Sequence, residues 1–139
     1  MPLDDTQLQA VRDAYAQWER SAGTDSTPWL DLMADDVEFI SLGSGEPPLE
    51  FSEDRSGKEA VKGYFAELTK DWELLEWKVN ELVYRGETLV ALSDVRWQSR
   101  HNGSVVATPK ADVMHFRDGK VIRFQEFFDT AAAHAAAPR

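Results

Sequence analysis

The sequence predicts an α+β domain in which amphipathic helices precede a meandering antiparallel sheet. In the first half of the chain, apolar residues recur at three- and four-residue steps, the period of one helix face. Beyond residue 71 the pattern changes to alternation, in four strand-length runs separated by short turns. Runs joined by short turns pair as antiparallel neighbours, so we expect a meander.

The first predicted helix covers residues 4–22. A polar residue at positions 4–6 caps its start and Gly23 ends it. Its inward face carries Leu8, Val11, Tyr15, Trp18 and Ala22. Tyr15 is either a core residue with a satisfied hydroxyl or a donor aimed into a pocket.

Two further helices are predicted before the meander. Pro28 opens a short one over residues 29–34. The capping box from Ser56 to Glu59 opens the other, with an inward face of Val61, Tyr64, Phe65 and Leu68. Between them lie a strand over residues 37–41 and a stretch rich in Gly and Pro, residues 42–55. That stretch is either a long surface loop or a lid over a pocket.

The meander is predicted over residues 74–84, 88–100, 105–117 and 120–129, and Asp118-Gly119 supplies the positive φ of the last hairpin. On the second run, the odd-numbered residues 89–99 should face the core. One face of the third run carries Asp112, Met114 and Phe116, and one face of the fourth carries Ile122, Phe124, Glu126 and Phe128.

Each of these two faces is apolar except for one carboxylate, Asp112 or Glu126. A carboxylate in an apolar stripe is either an edge residue in water or a buried acid with a function. The alanine-rich residues 131–139 predict a short helix or a frayed tail. We therefore predict a single domain over residues 1–139, with residues 1–7 and 130–139 as tails.

Composition excludes several classes of partner. A net charge of −10 disfavours nucleic acid and anionic membrane surfaces, because no Lys/Arg cluster replaces their counterions. The chain has no cysteine, and neither a signal peptide nor a membrane span is visible, so we expect a cytoplasmic protein. Its histidines, His101, His115 and His134, have no metal-binding spacing, so no metal site is predicted.

Three segments carry a resemblance to a known superfamily: residues 29–39, residues 56–61, and residues 116–122 followed by Phe127-Phe128-Asp129. Over residues 8–129 the chain resembles the nuclear transport factor 2-like superfamily, which includes SnoaL-like polyketide cyclases, ketosteroid isomerases and limonene epoxide hydrolases. The resemblance implies a cone: a curved antiparallel sheet packed against about three helices, with an apolar pocket between them. It also implies a homodimer, no cofactor, and a small apolar, phenolic or steroid-like ligand.

The resemblance further implies roles for individual residues. Tyr15 and a protonated Asp112 correspond to the two donors that stabilise an oxyanion in ketosteroid isomerases, where this arrangement is already known. The isomerase base falls on Ser41, whose hydroxyl cannot take a proton from carbon at neutral pH. Glu126 matches an acidic position of epoxide hydrolases and some cyclases, which makes it the alternative base.

The predicted ligand-binding wall consists of Phe39, Ser41, Tyr64, Phe65, Val95, Trp97, Met114, Phe124 and Phe128. Two functions stay open. One is an enzyme for proton-transfer chemistry, such as isomerisation, cyclisation, dehydration or epoxide opening. The other is a non-catalytic module that binds a hydrophobic ligand or acts as a dimeric scaffold.

Overall fold

The computed structural model describes residues 2–138. It contains the helices α1 (Asp5–Arg20), α2 (Thr27–Leu32), α3 (Lys58–Asp71) and α4 (Thr130–Ala136), and a 3-10 turn at Glu50–Ser52. Its strands are β1 (Met33–Ser41), β2 (Arg55–Ser56), β3 (Trp72–Arg85), β4 (Thr88–Ser99), β5 (Val105–Arg117) and β6 (Lys120–Phe128). No helix in this part of the chain is both long and apolar enough to cross a membrane.

The predicted meander is confirmed: β3, β4, β5 and β6 follow one another as antiparallel neighbours. The structure adds two strands on the β6 side, giving the order β2-β1-β6-β5-β4-β3. Strand β1 pairs with β6 in parallel, so the sheet is mixed. A parallel pair between distant segments leaves no short-turn signal in the sequence, which is why the prediction contained only the meander.

Helix α1 is capped as predicted. Asp4 accepts a hydrogen bond from the Gln7 amide at 3.0 Å, and the Gln7 side chain accepts one from the Asp4 amide at 2.9 Å. Met1, the first residue of the tail predicted over residues 1–7, lies outside the described residues. From residue 3 onward the prediction is wrong, because the helix begins at Asp5 and Leu3 packs into the core. The Leu3 amide also donates to the Gly86 carbonyl.

Helix α2 has the predicted length but lies two residues earlier than predicted, since it begins at Thr27 and the chain is extended from Met33 onward, where β1 begins. The predicted capping box of α3 is wrong. Gly57, at φ 89°, occupies the N-cap position without a side-chain bond. Ser56 pairs with Glu38 across β2 and β1 and donates its hydroxyl to that carboxylate at 2.8 Å. The Ser56 side chain therefore bonds to strand β1 and does not cap α3.

The inward face of β4 is confirmed, since residues 89, 91, 93, 95, 97 and 99 are all buried. On β6 the predicted inward set contains one error. A register shift at His115/Phe116 pairs Phe116 with Val121, so Val121 is fully buried and Ile122 is only partly buried. A bulge of this kind moves one residue out of the alternating pattern.

Residues 130–136 form the predicted short helix rather than a tail. Asp129 caps α4 by accepting from the Ala132 amide at 3.0 Å. Ala133 and Ala136 are buried, and the Asn102 side chain donates to the Ala136 carbonyl at 3.2 Å. Alanine buries little area, but its small size lets this helix approach the sheet closely, so the terminal segment packs as part of the domain.

Candidate functional site

An apolar pocket lies between the helices and the inner face of the sheet. The volume of this pocket that is open to the centre of a water molecule is about 80 Å³. Most of the wall is aromatic: Tyr15, Trp18, Trp29, Phe39, Phe51, Tyr64, Phe65, Trp72, Trp77, Trp97, Phe124 and Phe128. The unusual number of aromatic residues in the sequence therefore serves a cavity as well as a core.

Seven of the predicted ligand-binding residues lie in the pocket wall: Phe39, Tyr64, Phe65, Val95, Trp97, Phe124 and Phe128. Ser41 and Met114 do not, so their placement there is wrong. Both face inward, as alternation requires, but Ser41 lies behind the Glu126 carboxylate and Met114 is fully buried in the core. Alternation identifies the inner face of a strand without telling which inner residues reach the hollow.

Residues 42–54 close one side of the pocket, which makes them the predicted lid rather than only a surface loop. Leu49 is fully buried and reaches the cavity together with Phe51. Ser52 holds the loop together, because its hydroxyl donates to the Leu49 carbonyl at 2.6 Å and accepts from the Gly45 amide at 3.1 Å. Gly43 packs so closely on Ser52 that a Cβ there would overlap it.

The polar part of the wall is built on two buried carboxylates. Asp112 on β5 and Glu126 on β6 are direct cross-strand partners. Their exposed fractions are 1% and 2%, so the choice between an edge carboxylate and a buried acid is settled for both residues. Like charges directly opposite each other destabilise a sheet, so this pair requires a compensating cation.

Lys110 supplies that cation. It lies two residues before Asp112 on β5 and therefore on the same face. Its Nζ donates to Asp112 Oδ1 at 2.5 Å and lies 3.1 Å from Glu126 Oε1. The ammonium also lies 4.7 Å from the centre of the Trp77 ring, a favourable cation–π contact. The result is a buried chain of charges, acid–ammonium–acid, facing an apolar hollow.

Three hydroxyl groups complete this polar cluster. The Tyr15 hydroxyl donates to Asp112 Oδ2 at 2.6 Å. On the other carboxylate, the Ser41 hydroxyl donates to Glu126 Oε2 at 2.5 Å and the Tyr64 hydroxyl donates to Glu126 Oε1 at 2.9 Å. Asp112 thus accepts from two groups and Glu126 from three, with the ammonium shared between them.

The environment shifts the pKa values of four of these groups. Burial raises the pKa of Asp112, and the Lys110 ammonium opposes that rise. Burial alone lowers the pKa of Lys110, but Asp112 and Glu126 outweigh it and hold that pKa above its ordinary value. Burial and the adjacent carboxylates raise the pKa values of Tyr15 and Tyr64 well above 10.0. Both phenols are therefore protonated donors, and the lysine is an ammonium, at neutral pH.

The setting of Asp112 differs from the one that the resemblance implies. Besides apolar surroundings, it has two donors in contact with its carboxyl group, Lys110 and Tyr15. The sequence prediction missed Lys110 because the inward face of β5 was followed only from Asp112 onward. Extending the same two-residue period backward brings in Lys110 and Thr108, which both lie in the pocket wall.

The histidines lie apart from the polar cluster. His101 is in a turn beside Asp71, with Nε2 2.7 Å from Oδ1, and His115 is 3.2 Å from the Thr88 hydroxyl. His134 is on α4. Across residues 2–138, no three His, Asp or Glu side chains are grouped as metal ligands.

The family model described as SnoaL-like domain matches residues 11–124. No curated protein matches the chain.

Solved structures share the fold. A nuclear transport factor 2-like protein of unknown function from Burkholderia pseudomallei K96243 is 22% identical, with 98% of this chain and 100% of that one covered, at a TM-score of 0.82. TerC, co-crystallised with polyporic acid, is 22% identical over 94% of this chain and 96% of its own, at 0.77. A Jannaschia sp. CCS1 protein that carries the name SnoaL-like polyketide cyclase is 17% identical over 100% and 99%, at 0.74. These likenesses show the fold.

Proposed function

We propose that this chain, which belongs to the SnoaL-like domain family, is an enzyme that moves a proton on a compact apolar compound carrying a carbonyl or phenolic oxygen. The observation that carries the proposal is the burial of Asp112, Lys110 and Glu126 together in the wall of an apolar pocket. The chemistry belongs to the isomerisation and cyclisation class, and it uses side chains of this chain alone.

The energetic argument starts from the cost of the polar cluster. Desolvating a charged group costs several kcal/mol, and replacing a buried ion pair by apolar residues of similar volume is often neutral or stabilising, by about 1–4 kcal/mol. The fold therefore gains little from keeping three charged groups here. Buried ionisable groups with shifted pKa values beside a cavity are the arrangement expected of a catalytic site.

Within the polar cluster, Asp112 is the better candidate for the base. Its pKa is raised by burial, and a base is more effective as its pKa approaches the working pH. Glu126 already accepts from three groups, Ser41, Tyr64 and Lys110, whereas Asp112 accepts from two, so Asp112 keeps more acceptor capacity for a proton of the ligand. This assignment exchanges the roles that the resemblance implies for the two acids.

The proposed step removes a proton from the carbon next to a carbonyl. The C–H bond breaks, an O–H bond forms on Asp112, and the electron pair moves onto the ligand oxygen to form an enolate. Once Asp112 is protonated it no longer needs the Tyr15 hydroxyl, which then donates to the enolate oxygen. Return of the proton to a different carbon gives isomerisation, and attack of the enolate on a second carbonyl gives cyclisation.

The size of the pocket limits the ligand. The volume of about 80 Å³ is the space that the centre of a water molecule can occupy. With the water radius of about 1.4 Å added on every side, the pocket holds a molecule of one or two rings. A steroid requires the lid, residues 42–54, to move. The co-crystallisation of TerC with polyporic acid supports an organic occupant for this fold.

Assembly and location belong to the proposal as well. We propose a homodimer formed through the outer face of the sheet, where Leu92 is 37% exposed and Val83 is 48% exposed. Sedimentation at two protein concentrations checks it. A cytoplasmic location stays a prediction.

The experiment is hydrogen–deuterium exchange at carbon, followed by proton NMR in D₂O. A panel of one- and two-ring ketones and β-dicarbonyl compounds is incubated with the wild type, with Asp112→Asn and with Asp94→Asn. Asp94 is an exposed carboxylate on the outer face of β4 and serves as the matched control. Wild type and Asp94→Asn should catalyse loss of the signal of the proton next to the carbonyl, and Asp112→Asn should not. No exchange by the wild type on any compound rejects the enzyme.

One observation favours a second candidate, a module that binds a ligand without converting it. Every carboxylate oxygen of the polar cluster already accepts a hydrogen bond from the protein. A base that is saturated in this way can be a permanent part of a binding wall. Binding of panel compounds, measured by quenching of tryptophan fluorescence, without exchange at carbon identifies this function.

A further inference from the structure

We infer that Lys110 determines specificity, by directing the free N–H of its ammonium at an oxygen atom of the ligand that carries or develops negative charge. This inference deepens the proposed function and rests on it for the reaction, but its binding consequence can be tested separately. It names the substrate class as neutral, weakly acidic oxygen compounds such as phenols and enols.

The position of Lys110 is tightly held. Its side chain is 9% exposed, and Asp112 and Glu126 contact its ammonium group from two sides. The centre of the Trp77 ring lies 4.7 Å from Nζ, and that indole is itself held by a 3.2 Å hydrogen bond from its Nε1 to the Ser93 hydroxyl. A long side chain fixed in this way loses little further entropy when a ligand binds, so its donors are pre-organised.

The donors of the ammonium are not all used. An ammonium has three N–H groups. Across residues 2–138, the ammonium of Lys110 has two acceptor groups within bonding distance, Asp112 and Glu126. Lys110 lies in the pocket wall, so the third donor is available to a ligand. A hydrogen bond from an ammonium to an oxyanion is roughly twice as strong as one between neutral groups.

The charges define which form of the ligand binds. Lys110 is the one cationic side chain of the described pocket wall, and the two acids give the polar cluster a net charge of −1 when all three groups are ionised. A ligand that arrives as an anion adds a second uncompensated negative charge to an apolar site, which is costly. A neutral phenol or enol avoids that cost, because its proton is shared with a carboxylate of the cluster while its oxygen is held by Lys110.

The ammonium acts here as a counter-ion and not as a nucleophile. Asp112 and Glu126 keep Lys110 protonated, and a protonated amine has no electron pair with which to attack a carbonyl. No covalent adduct with the ligand is therefore expected. The test measures how the affinity for the ligand changes with the acidity of the ligand. Loss of packing alone does not change that dependence.

The experiment uses a series of singly substituted phenols of graded acidity, all at a pH where they are neutral. Dissociation constants are measured by tryptophan fluorescence for the wild type, Lys110→Met and Lys78→Met. Lys78 is an exposed lysine on β3 and is the matched control. Wild type and Lys78→Met should bind the most acidic phenol about tenfold more tightly than the least acidic, a difference of about 1.4 kcal/mol. Lys110→Met should show a clearly shallower trend, because no cation then stabilises the negative charge that develops on the phenol oxygen.

A second comparison keeps the test valid if Lys110→Met does not fold. Lys110→Met/Asp112→Asn retains the net charge of the wild-type cluster, and Asp112→Asn alone is its reference. The trend should be steep in Asp112→Asn and clearly shallower in the double variant. A trend that is equally steep with and without Lys110, or its absence from the wild type, overturns the inference. A wild-type trend without exchange at carbon keeps the inference and rejects the proposed enzyme, and exchange without the trend does the reverse.

Discussion

Asp112 and Glu126 face each other directly across β5 and β6, and both are almost fully buried. Within the described residues, Lys110 is the only cation in contact with both of them. A sheet selected for stability alone does not place two carboxylates in that relationship, because they repel each other at close range. The fold tolerates the pair because the ammonium lies between them. The arrangement carries a cost in stability that a function must explain.

The first prediction concerns the removal of that cation. Lys110→Met leaves two buried carboxylates without a counter-ion, and breaking a buried pair by removing one partner costs about 3–5 kcal/mol. Urea unfolding at pH 7 should show this loss, with Lys78→Met unchanged.

The loss should also depend on pH. Burial raises the pKa of Asp112 in the folded state, and the Lys110 ammonium opposes that rise, so without the ammonium the pKa of Asp112 lies further above its value in the unfolded state. The folded variant then binds more protons, so its stability falls as the pH rises through that raised value. A deficit that is as large at pH 4.5 as at pH 7 contradicts this explanation.

The second prediction concerns alkaline pH. The pKa values of Tyr15 and Tyr64 are raised well above 10.0 by burial and by the neighbouring carboxylates, so the folded state keeps phenolic protons that the unfolded state releases. Their contribution to stability is complete below about pH 10 and is lost as the pH rises through the folded values. The free energy of unfolding should therefore decline steeply above that pH.

Replacing both buried phenols tests the origin of that decline. Tyr15→Phe/Tyr64→Phe should decline less steeply, because fewer protons distinguish the two states. Tyr84→Phe, at a phenol that is 51% exposed, should follow the wild type. Equal slopes in all three proteins argue against the buried phenols as the cause.

The third prediction separates a real helix cap from an apparent one. Asp4 accepts from the Gln7 amide at the start of α1, so Asp4→Ala should lower the free energy of unfolding by about 1 kcal/mol. Ser56 makes no cap bond to α3 and is exposed, so Ser56→Ala should change it by less than about 0.5 kcal/mol. Thermal unfolding of the pair measures both, and the reverse order of effects counts against the described start of α3.

The fourth prediction concerns the lid. Leu49 is fully buried against the pocket, so Leu49→Ala should cost about 2–5 kcal/mol of stability through the cavity it leaves. The enlarged pocket should also admit two-ring phenols faster in stopped-flow fluorescence. Leu42, in the same segment and 47% exposed, provides the control: Leu42→Ala should alter neither property. Unchanged stability in Leu49→Ala would show that the lid does not pack as described.

Much of the fold followed from periodicity. The inward faces of α1 and β4, the hairpin at Asp118-Gly119 and the position of both acids on apolar strand faces come from residues a few positions apart, whose directions are set by the helix or strand itself. The parallel pairing of β1 with β6 and the packing of α4 depend on contacts between distant segments, which no local pattern reports.

The candidate site shows the same limit. The pattern placed Ser41 and Met114 on inner faces correctly, but which inner side chain reaches the hollow depends on packing depth. The capping box at Ser56 had the right spacing, yet pairing with Glu38 took its hydroxyl. Lys110 was within reach of alternation, but the inward face of β5 was followed only from Asp112 onward.

The most direct test of the central claim is the stability and binding of Lys110→Met/Asp112→Asn/Glu126→Gln. Asn and Gln keep acceptors for the hydroxyls of Tyr15, Ser41 and Tyr64, while all three charges are removed. The account predicts that urea unfolding finds this variant at least as stable as the wild type, and that titration with acidic phenols finds no binding. A variant destabilised by several kcal/mol that still binds those phenols would show that the buried charges serve the fold, which contradicts the account.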